Sequence, residues 1–200
     1  MGDFGQYHIR QGRLEDCLDI ARMIDSSAEG ATNYLYQHVR QGKSSIEVLA
    51  EQLASEVHYS YANTIVAEFN NNVVAMALSF PSNGLVLDEN LLQQYSASRQ
   101  QYLKYFSTNR INDSWHLDAI YVDAPHRNVG LGGHLLAAVK QQAGYYGFPV
   151  LQVFVFGSNE DAIRFYRANG FSIDKRIQTD SHEFLSHHGY LLLMKCTLEE

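Results

Sequence analysis

The chain's 200 residues suffice for one domain with a substantial core, and 46% apolar with 18% charged residues is ordinary for a globular protein. A net charge of −7 argues against a nucleic-acid partner and suits a cationic one. The two cysteines, Cys17 and Cys196, stand at opposite ends of the sequence, which excludes a disulfide framework and points to a reducing compartment.

Residues 7–10 read as a first strand. A helix follows with Leu14, Leu18, Ala21 and Ile24 on one face, stopping by Gly30. Residues 44–58 carry Ile46, Leu49, Leu53 and Val57 at helical spacing. Two β-rich runs, 64–69 and 73–80, flank Asn70-Asn71-Asn72, a polar turn that signals a hairpin. Residues 85–113 hold Leu91, Leu92, Tyr95, Tyr102, Leu103 and Phe106 among Gln, Ser and Arg, and are expected to be helical. A fourth strand is expected over 115–122 and a helix with a glycine stop over 132–147. The run 149–156 is apolar enough for a strand buried on both faces. Residues 159–169 predict a helix capped by Asn159 and stopped at Gly170, and 171–178 and 190–197 two closing strands. No repeat, low-complexity tract or linker breaks the chain, so 1–200 reads as a single domain. No apolar run reaches signal-peptide length near the start or membrane-spanning length anywhere, and Gln6 stands where a myristoylation signal needs Ser or Thr. The expectation is a cytoplasmic protein that engages no membrane.

Between the fourth strand and the next helix lies Arg127-Asn128-Val129-Gly130-Leu131-Gly132-Gly133. Strand, glycine loop, helix is the layout of a phosphate cradle: glycines let the backbone approach a ligand, and N–H groups at the helix start point at an anion. A nucleoside-triphosphate loop would end in Lys-Ser/Thr, where His134 and Leu135 follow Gly133, and a dinucleotide loop needs a third glycine where Leu135 stands. One helix and one strand later comes Asn159-Glu160-Asp161-Ala162-Ile163-Arg164-Phe165-Tyr166-Arg167-Ala168-Asn169-Gly170-Phe171.

The first stretch resembles the coenzyme A pyrophosphate loop of the GNAT superfamily of N-acetyltransferases, Arg/Gln-x-x-Gly-x-Gly/Ala, through Arg127, Gly130 and Gly132. The second is similar to that family's other signature: Asn, then Ala, an aromatic-Tyr pair and a closing Gly-Phe. Together they cover residues 115–171. The resemblance implies an α/β (α+β) fold, with a mixed, mostly antiparallel sheet of about seven strands flanked by helices and a helical insert at 85–113. The fourth and fifth strands of that fold splay apart around the thioester-bearing arm of acetyl-CoA, the expected co-substrate. It also implies that Asn128, Val129, Gly130, Leu131, Gly132 and Gly133 hold the pyrophosphate. Ile120, Tyr121 and Val122 would offer backbone groups to the acetyl carbonyl and pantetheine. Arg127 either touches phosphate or orders the loop, and Asn159 caps its helix, contacts the pantetheine arm, or both.

By the same resemblance Tyr166, seven residues after Asn159, takes the position of a general acid that protonates the leaving thiolate. A phenol has a proton to give at neutral pH, although Tyr166 also sits in register with Ala162 and Ile163 as a core aromatic. Many members place a glutamate five residues before the asparagine; here that residue is Phe154, so that base is absent. On the fourth strand His116 and Asp118 share one face by alternation, about 7 Å apart along the strand. Arylalkylamine acetyltransferases of this superfamily carry histidines at both positions; here Asp118 replaces the second. His116 could take the amine's proton, with Asp118 orienting it or binding an ammonium, and the pair could equally be a satisfied polar contact inside the sheet.

The expected activity is acetyl-CoA-dependent transfer to a primary amine, on a small molecule or a peptide, by direct attack in a ternary complex. The alternative is a catalytically silent acyl-CoA-binding sensor of the same fold. The insert is either a packing or homodimer contact, or a substrate-side wall. No metal is expected: His182, Glu183, His187 and His188 cluster before the last strand without the spacing of a specific site.

Overall fold

The computed structural model describes residues 4–28, 30–36, 42–85, 89–93, 95–179 and 189–198, without the side chains of Phe4, Asn90 and Leu91. Strands β1 (His8–Gln11), β2 (Thr64–Phe69), β3 (Asn72–Pro81), β4 (Trp115–Val122), β5 (Val150–Phe156), β6 (Ser172–Gln178) and β7 (Tyr190–Thr197) form one seven-stranded sheet in the order β1-β2-β3-β4-β5-β7-β6. Every neighbouring pair is antiparallel except β4 with β5. The helices are α1 (Cys17–Ser27), α2 (Ala31–Tyr36), α3 (Ser45–Ser55), α4 (Glu89–Leu92), α5 (Ala97–Asn109), α6 (Leu131–Tyr145) and α7 (Glu160–Ala168). This is the mixed sheet with flanking helices that the resemblance implies.

Local chemistry accounts for the elements. Asn70 and Asn71 both adopt left-handed φ, +50° and +62°, as a tight hairpin turn requires, and join β2 to β3. Ser44 and Glu47 form a reciprocal capping box at the start of α3 (Glu47 N–H to Ser44 Oγ 3.2 Å, Ser44 N–H to Glu47 Oε2 2.7 Å). Asn159 Oδ1 accepts the Ala162 N–H at 3.0 Å and caps α7, which ends at Gly170 with φ +87°.

Two cores lie on the two faces of the sheet. Leu131, Leu135, Leu136, Val139 and Ala143 of α6 pack with Tyr166, Phe171 and the facing side chains of β2–β5 and β7. Each fully buried Leu or Val there contributes about 1.5–3 kcal/mol. On the other face Cys17, Ile20, Ala21, Met23 and Ile24 of α1 and Leu49 and Leu53 of α3 cover Val66, Met76, Leu78 and Phe80.

Three local expectations need correction. Leu14 and Leu18 are 59% and 42% exposed, so α1 buries the stripe Cys17, Ile20/Ala21, Ile24 rather than the one beginning at Leu14. A buried ionic knot sets this rotation. Asp16, directly before α1, accepts from Arg10 at 2.6 and 3.1 Å and from the Arg13 N–H at 2.7 Å, while Arg10 Nε donates to Glu68 at 2.8 Å. Burial pushes the Asp16 carboxyl up, but these donors outweigh it and hold it below its ordinary value. Secondly, α3 ends at Ser55, which leaves Val57 77% exposed. Thirdly, α2 is an extra helix, burying Ala31, Thr32 and Tyr34.

The segment between β3 and β4 is helical as expected, and α5 docks against α2. The buried Arg99 donates Nε to the Tyr34 carbonyl (2.6 Å) and Nη1 to Ser96 Oγ (3.1 Å), and its guanidinium lies 4.8 Å from the Tyr34 ring centroid. Tyr102 meets the same ring edge-on at 5.6 Å. Leu91's side chain and the histidine cluster at 182, 187 and 188 with Glu183 lie outside the described residues. Among the described residues no helix is long and apolar enough to cross a membrane.

Because Arg99 is the polar fastener of α5, Arg99→Met, which keeps the alkyl stem, is expected to destabilise the protein by roughly 2 kcal/mol. Amide exchange should accelerate in α5 before it does in α6; uniform acceleration would contradict the assignment.

Candidate active site

The site begins where β4 leaves β5. Their pairing runs only Trp115–Leu117 with Leu151–Val153; beyond that, β5 continues with β7 while β4 continues with β3. At the parting point β4 carries a bulge: Leu78 pairs with Ala119 and Ser79 with Leu117, leaving Asp118 unpaired. The extra residue shifts the alternation. Trp115 and Leu117 belong to the α6 side, Ala119 and Tyr121 to the α1 side, and Ile120 and Val122 again to the α6 side. Asp118 and Ala119 therefore share the face of His116.

After β4 a single turn, Ala124–His126, leads into the glycine loop. Asn128 (φ +62°) and Gly130 (φ +92°) are left-handed, and Gly130 is the N-cap of α6. The first bond inside the helix runs from His134 N–H to Gly130 O at 3.2 Å, so the N–H groups of Leu131, Gly132 and Gly133 have no partner among the described residues at the helix start. Such a fan of donors at the positive end of a fifteen-residue helix fits a pyrophosphate. The two glycines differ. Gly130 needs its positive φ, whereas a Cβ on Gly132 would meet Phe165 at an ordinary 3.5 Å.

Arg127 is anchored through one of its nitrogens. Its Nε donates to the Val122 carbonyl at 2.8 Å and its guanidinium lies 5.4 Å from the Tyr121 centroid, so it fastens the loop to the end of β4. Val129 is exposed.

One cleft of about 1460 Å³ passes through the gap in the sheet and joins these parts. At one end it is lined by Asn128, Gly130–Gly133, Phe165 and Asn159; in the middle by Ile120, Tyr121, Val122 and Tyr166; at the other end by His116, Asp118 and a group of aromatics. His116 is 3% exposed, held between the rings of Phe80 and Phe154, and its Nε2 is 3.6 Å from Asp118 Oδ1. That separation is too long for a hydrogen bond. His116 Nδ1 is buried without a protein partner. The pair is thus neither apart nor a satisfied internal contact.

Tyr166 is buried, and burial first, then the charge of Asp118, pushes its phenol above the ordinary tyrosine range. It remains a proton donor throughout the neutral range. The same two causes raise Tyr59 and Tyr102, and with Tyr95 they raise Tyr36. Several phenols thus surround one carboxylate. The grouping of Tyr36, Tyr59 and Phe80 around Asp118 has no sequence signature, since these residues are contributed by α2, the approach to β2, and β3. Phe154, at the position of the missing glutamate, packs on both His116 and Phe106. Cys17 and Cys196 are buried in the two cores away from the cleft, and burial, then Asp16's charge, raises the Cys17 thiol. Among the described residues no cluster of three His, Cys, Asp or Glu is placed to hold a metal.

The fold has many solved counterparts. An arylalkylamine N-acetyltransferase-like protein of mosquito superposes with a TM-score of 0.68 at 12% identity, over 96% of this chain and 100% of that one. An N-acetyltransferase of Staphylococcus aureus gives 0.65 at 19% identity over 94% and 99%. The PaiA N-acetyltransferase of Thermoplasma acidophilum, in complex with coenzyme A, gives 0.56 at 14% identity over 96% and 98%. No curated protein matches the chain. The sequence model of the acetyltransferase (GNAT) family matches residues 32–171, from α2 through both signatures to the start of β6, and the chain belongs to that family.

Proposed function

We propose that this protein is an acetyl-CoA-dependent N-acetyltransferase that moves an acetyl group to a primary amine by direct attack in a ternary complex. The observation that carries the reading is the continuous cleft, which has an anion cradle at one end, a buried phenol in the middle and a histidine–carboxylate pair at the other. The free N–H groups and left-handed Gly130 fit a pyrophosphate, so the loop Asn128–Gly133 would hold it. The backbone of Ile120–Val122 and the side chain of Asn159 would flank the pantetheine arm. Bound acetyl-CoA supplies the activated acyl group.

The chain's own residues then move protons. An alkylammonium with a pKa of about 10.4 is neutral in only one part in a few thousand at pH 7, so reaching the nucleophilic form costs roughly 4–5 kcal/mol. His116, beside Asp118, receives that proton. Of the protons on the ammonium nitrogen, one stays on the product amide, one is released to water through His116, and one balances the thiol of the departing coenzyme. Tyr166 delivers the proton to that sulfur and is restored from the amine side. Backbone N–H groups of β4, beyond its last pair with β5, are positioned to stabilise charge on the carbonyl oxygen. A silent acyl-CoA-binding module is favoured only by Phe154 in place of a glutamate, and a transfer assay separates the two readings.

Three outcomes test this function. Tyr166→Phe is expected to lower kcat about 10²–10⁴-fold with little change in coenzyme affinity, since the proton matters in the transition state. The raised phenol also fixes a sign. The folded state favours the protonated form, so wild-type kcat should not fall on Tyr166's account until the pH passes the ordinary tyrosine value of about 10. A loss near pH 8 that is absent in Tyr166→Phe would contradict this.

Gly130→Val, strained at φ +92°, should weaken coenzyme A binding more than about 10-fold by calorimetry. Gly132→Ala should leave the thermal midpoint near wild type, so any affinity lost there reports contact with the ligand. Finally, initial-rate plots should intersect. Parallel lines, or an acetylated protein after mixing with acetyl-CoA alone, would indicate a covalent route that neither buried thiol supports.

A further inference from the structure

Asp118 has a feature that the transfer chemistry leaves unused. Its side chain is a quarter exposed, His116 Nε2 lies 3.6 Å away, and among the described residues no lysine or arginine stands within ion-pair distance. Around it runs an unbroken series of ring contacts. Tyr102 meets Phe106 at 5.3 Å, Phe106 meets Phe154 at 5.1 Å, Phe154 meets His116 at 5.7 Å, His116 meets Phe80 at 5.5 Å, and Phe80 meets Tyr59 at 6.3 Å. These rings come from α5, β5, β4, β3 and the approach to β2, and all six line the cleft together with Asp118. The other carboxylates on the wall, Glu56 and Asp161, are exposed. The Tyr59 phenol gives Asp118 a neutral hydrogen-bond partner but no counter-charge, and ring faces attract a cation placed against them.

We infer that the acceptor is a small primary monoamine with an apolar body. Asp118 holds it as its ammonium, the body lies along the aromatic arc, and α5 limits the size of that body. This rests on the transferase reading above and names its acceptor. Held at Asp118, the ammonium stands beside His116 Nε2, 3.6 Å from Oδ1, which receives its proton. A peptide N-terminus would press a run of backbone N–H and C=O groups against a wall made largely of ring carbon, with few donors and acceptors to meet them. A diamine would carry a second ammonium into the arc with no second carboxylate inside it.

Calorimetry in saturating coenzyme A tests the inference with phenethylamine, phenethyl alcohol, putrescine and an alanyl tetrapeptide as probes. The proteins are wild type, Asp118→Asn and Phe106→Ala, each checked for a near-normal thermal midpoint. Phenethylamine is expected to bind wild type at least about 10-fold more tightly than the isosteric alcohol, and Asp118→Asn should erase that ratio. Phe106→Ala should weaken phenethylamine by about 10-fold while preserving the ratio, because it removes only packing. The wild-type ratio decides the matter alone should Asp118→Asn not fold. Tighter binding of putrescine or the tetrapeptide than of phenethylamine, or a ratio that survives in Asp118→Asn, overturns the inference. Binding through Asp118 without acetyl transfer to phenethylamine supports the pocket and overturns the transferase reading. Acetylation of the tetrapeptide with no binding of phenethylamine does the reverse.

Discussion

The structure depends on the parting of two strands. β4 and β5 are the parallel pair in an otherwise antiparallel sheet, and they hold together for only three residues before each turns to another neighbour. Everything placed at the site follows from that separation. It frees one backbone edge of β4 and opens a passage from one face of the sheet to the other. The N-terminus of α6 comes to one side of the passage, and His116 and Asp118 to the other. The bulge at Asp118 is part of the same device, because it puts two consecutive side chains on the acceptor face and returns Ile120 and Val122 to the α6 side.

Under the proposed function, the cradle must draw a polyanion to an acidic protein. With a net charge of −7 the long-range field is unfavourable, and the arginine opening the glycine loop is committed to the Val122 carbonyl. Attraction must therefore come from dipoles at short range: unpaired N–H groups and the start of α6. Such groups are fixed by the backbone and need no reorganisation. Arg127 contributes by fastening the loop to the end of β4.

The sequence made the architecture and the loop legible, and it did so through short-range chemistry. Glycine spacing, asparagine turns, a capping residue and an unbroken apolar strand each report on their own neighbourhood, and these elements appear within a residue or two of expectation. Leu14 and Leu18 were misleading because helical periodicity gives a face but not its rotation. That rotation is set by Arg10, which joins Asp16 to Glu68, a residue 58 positions away from Arg10. The β4 bulge was invisible, since one unpaired residue leaves no compositional trace. His116 and Asp118 were found by alternation, but the aromatics around them come from five elements, and convergence of that kind is a property of the packed chain.

The strand order carries a consequence for synthesis. β7 lies between β5 and β6, pairing with both along nearly their whole lengths, yet it is the last strand to be made. As the chain leaves the ribosome, the apolar edge of β5 and all of β6 wait without their common partner. The first four strands, with α1, α3 and α6, can assemble earlier around their own contacts. The half of the sheet bordering the passage closes only when residues 190–197 slot into place. Nascent chains of this protein should therefore be most vulnerable to strand-to-strand misassociation after β6 has emerged and before residues 190–197 have, when the other strands of the sheet already exist.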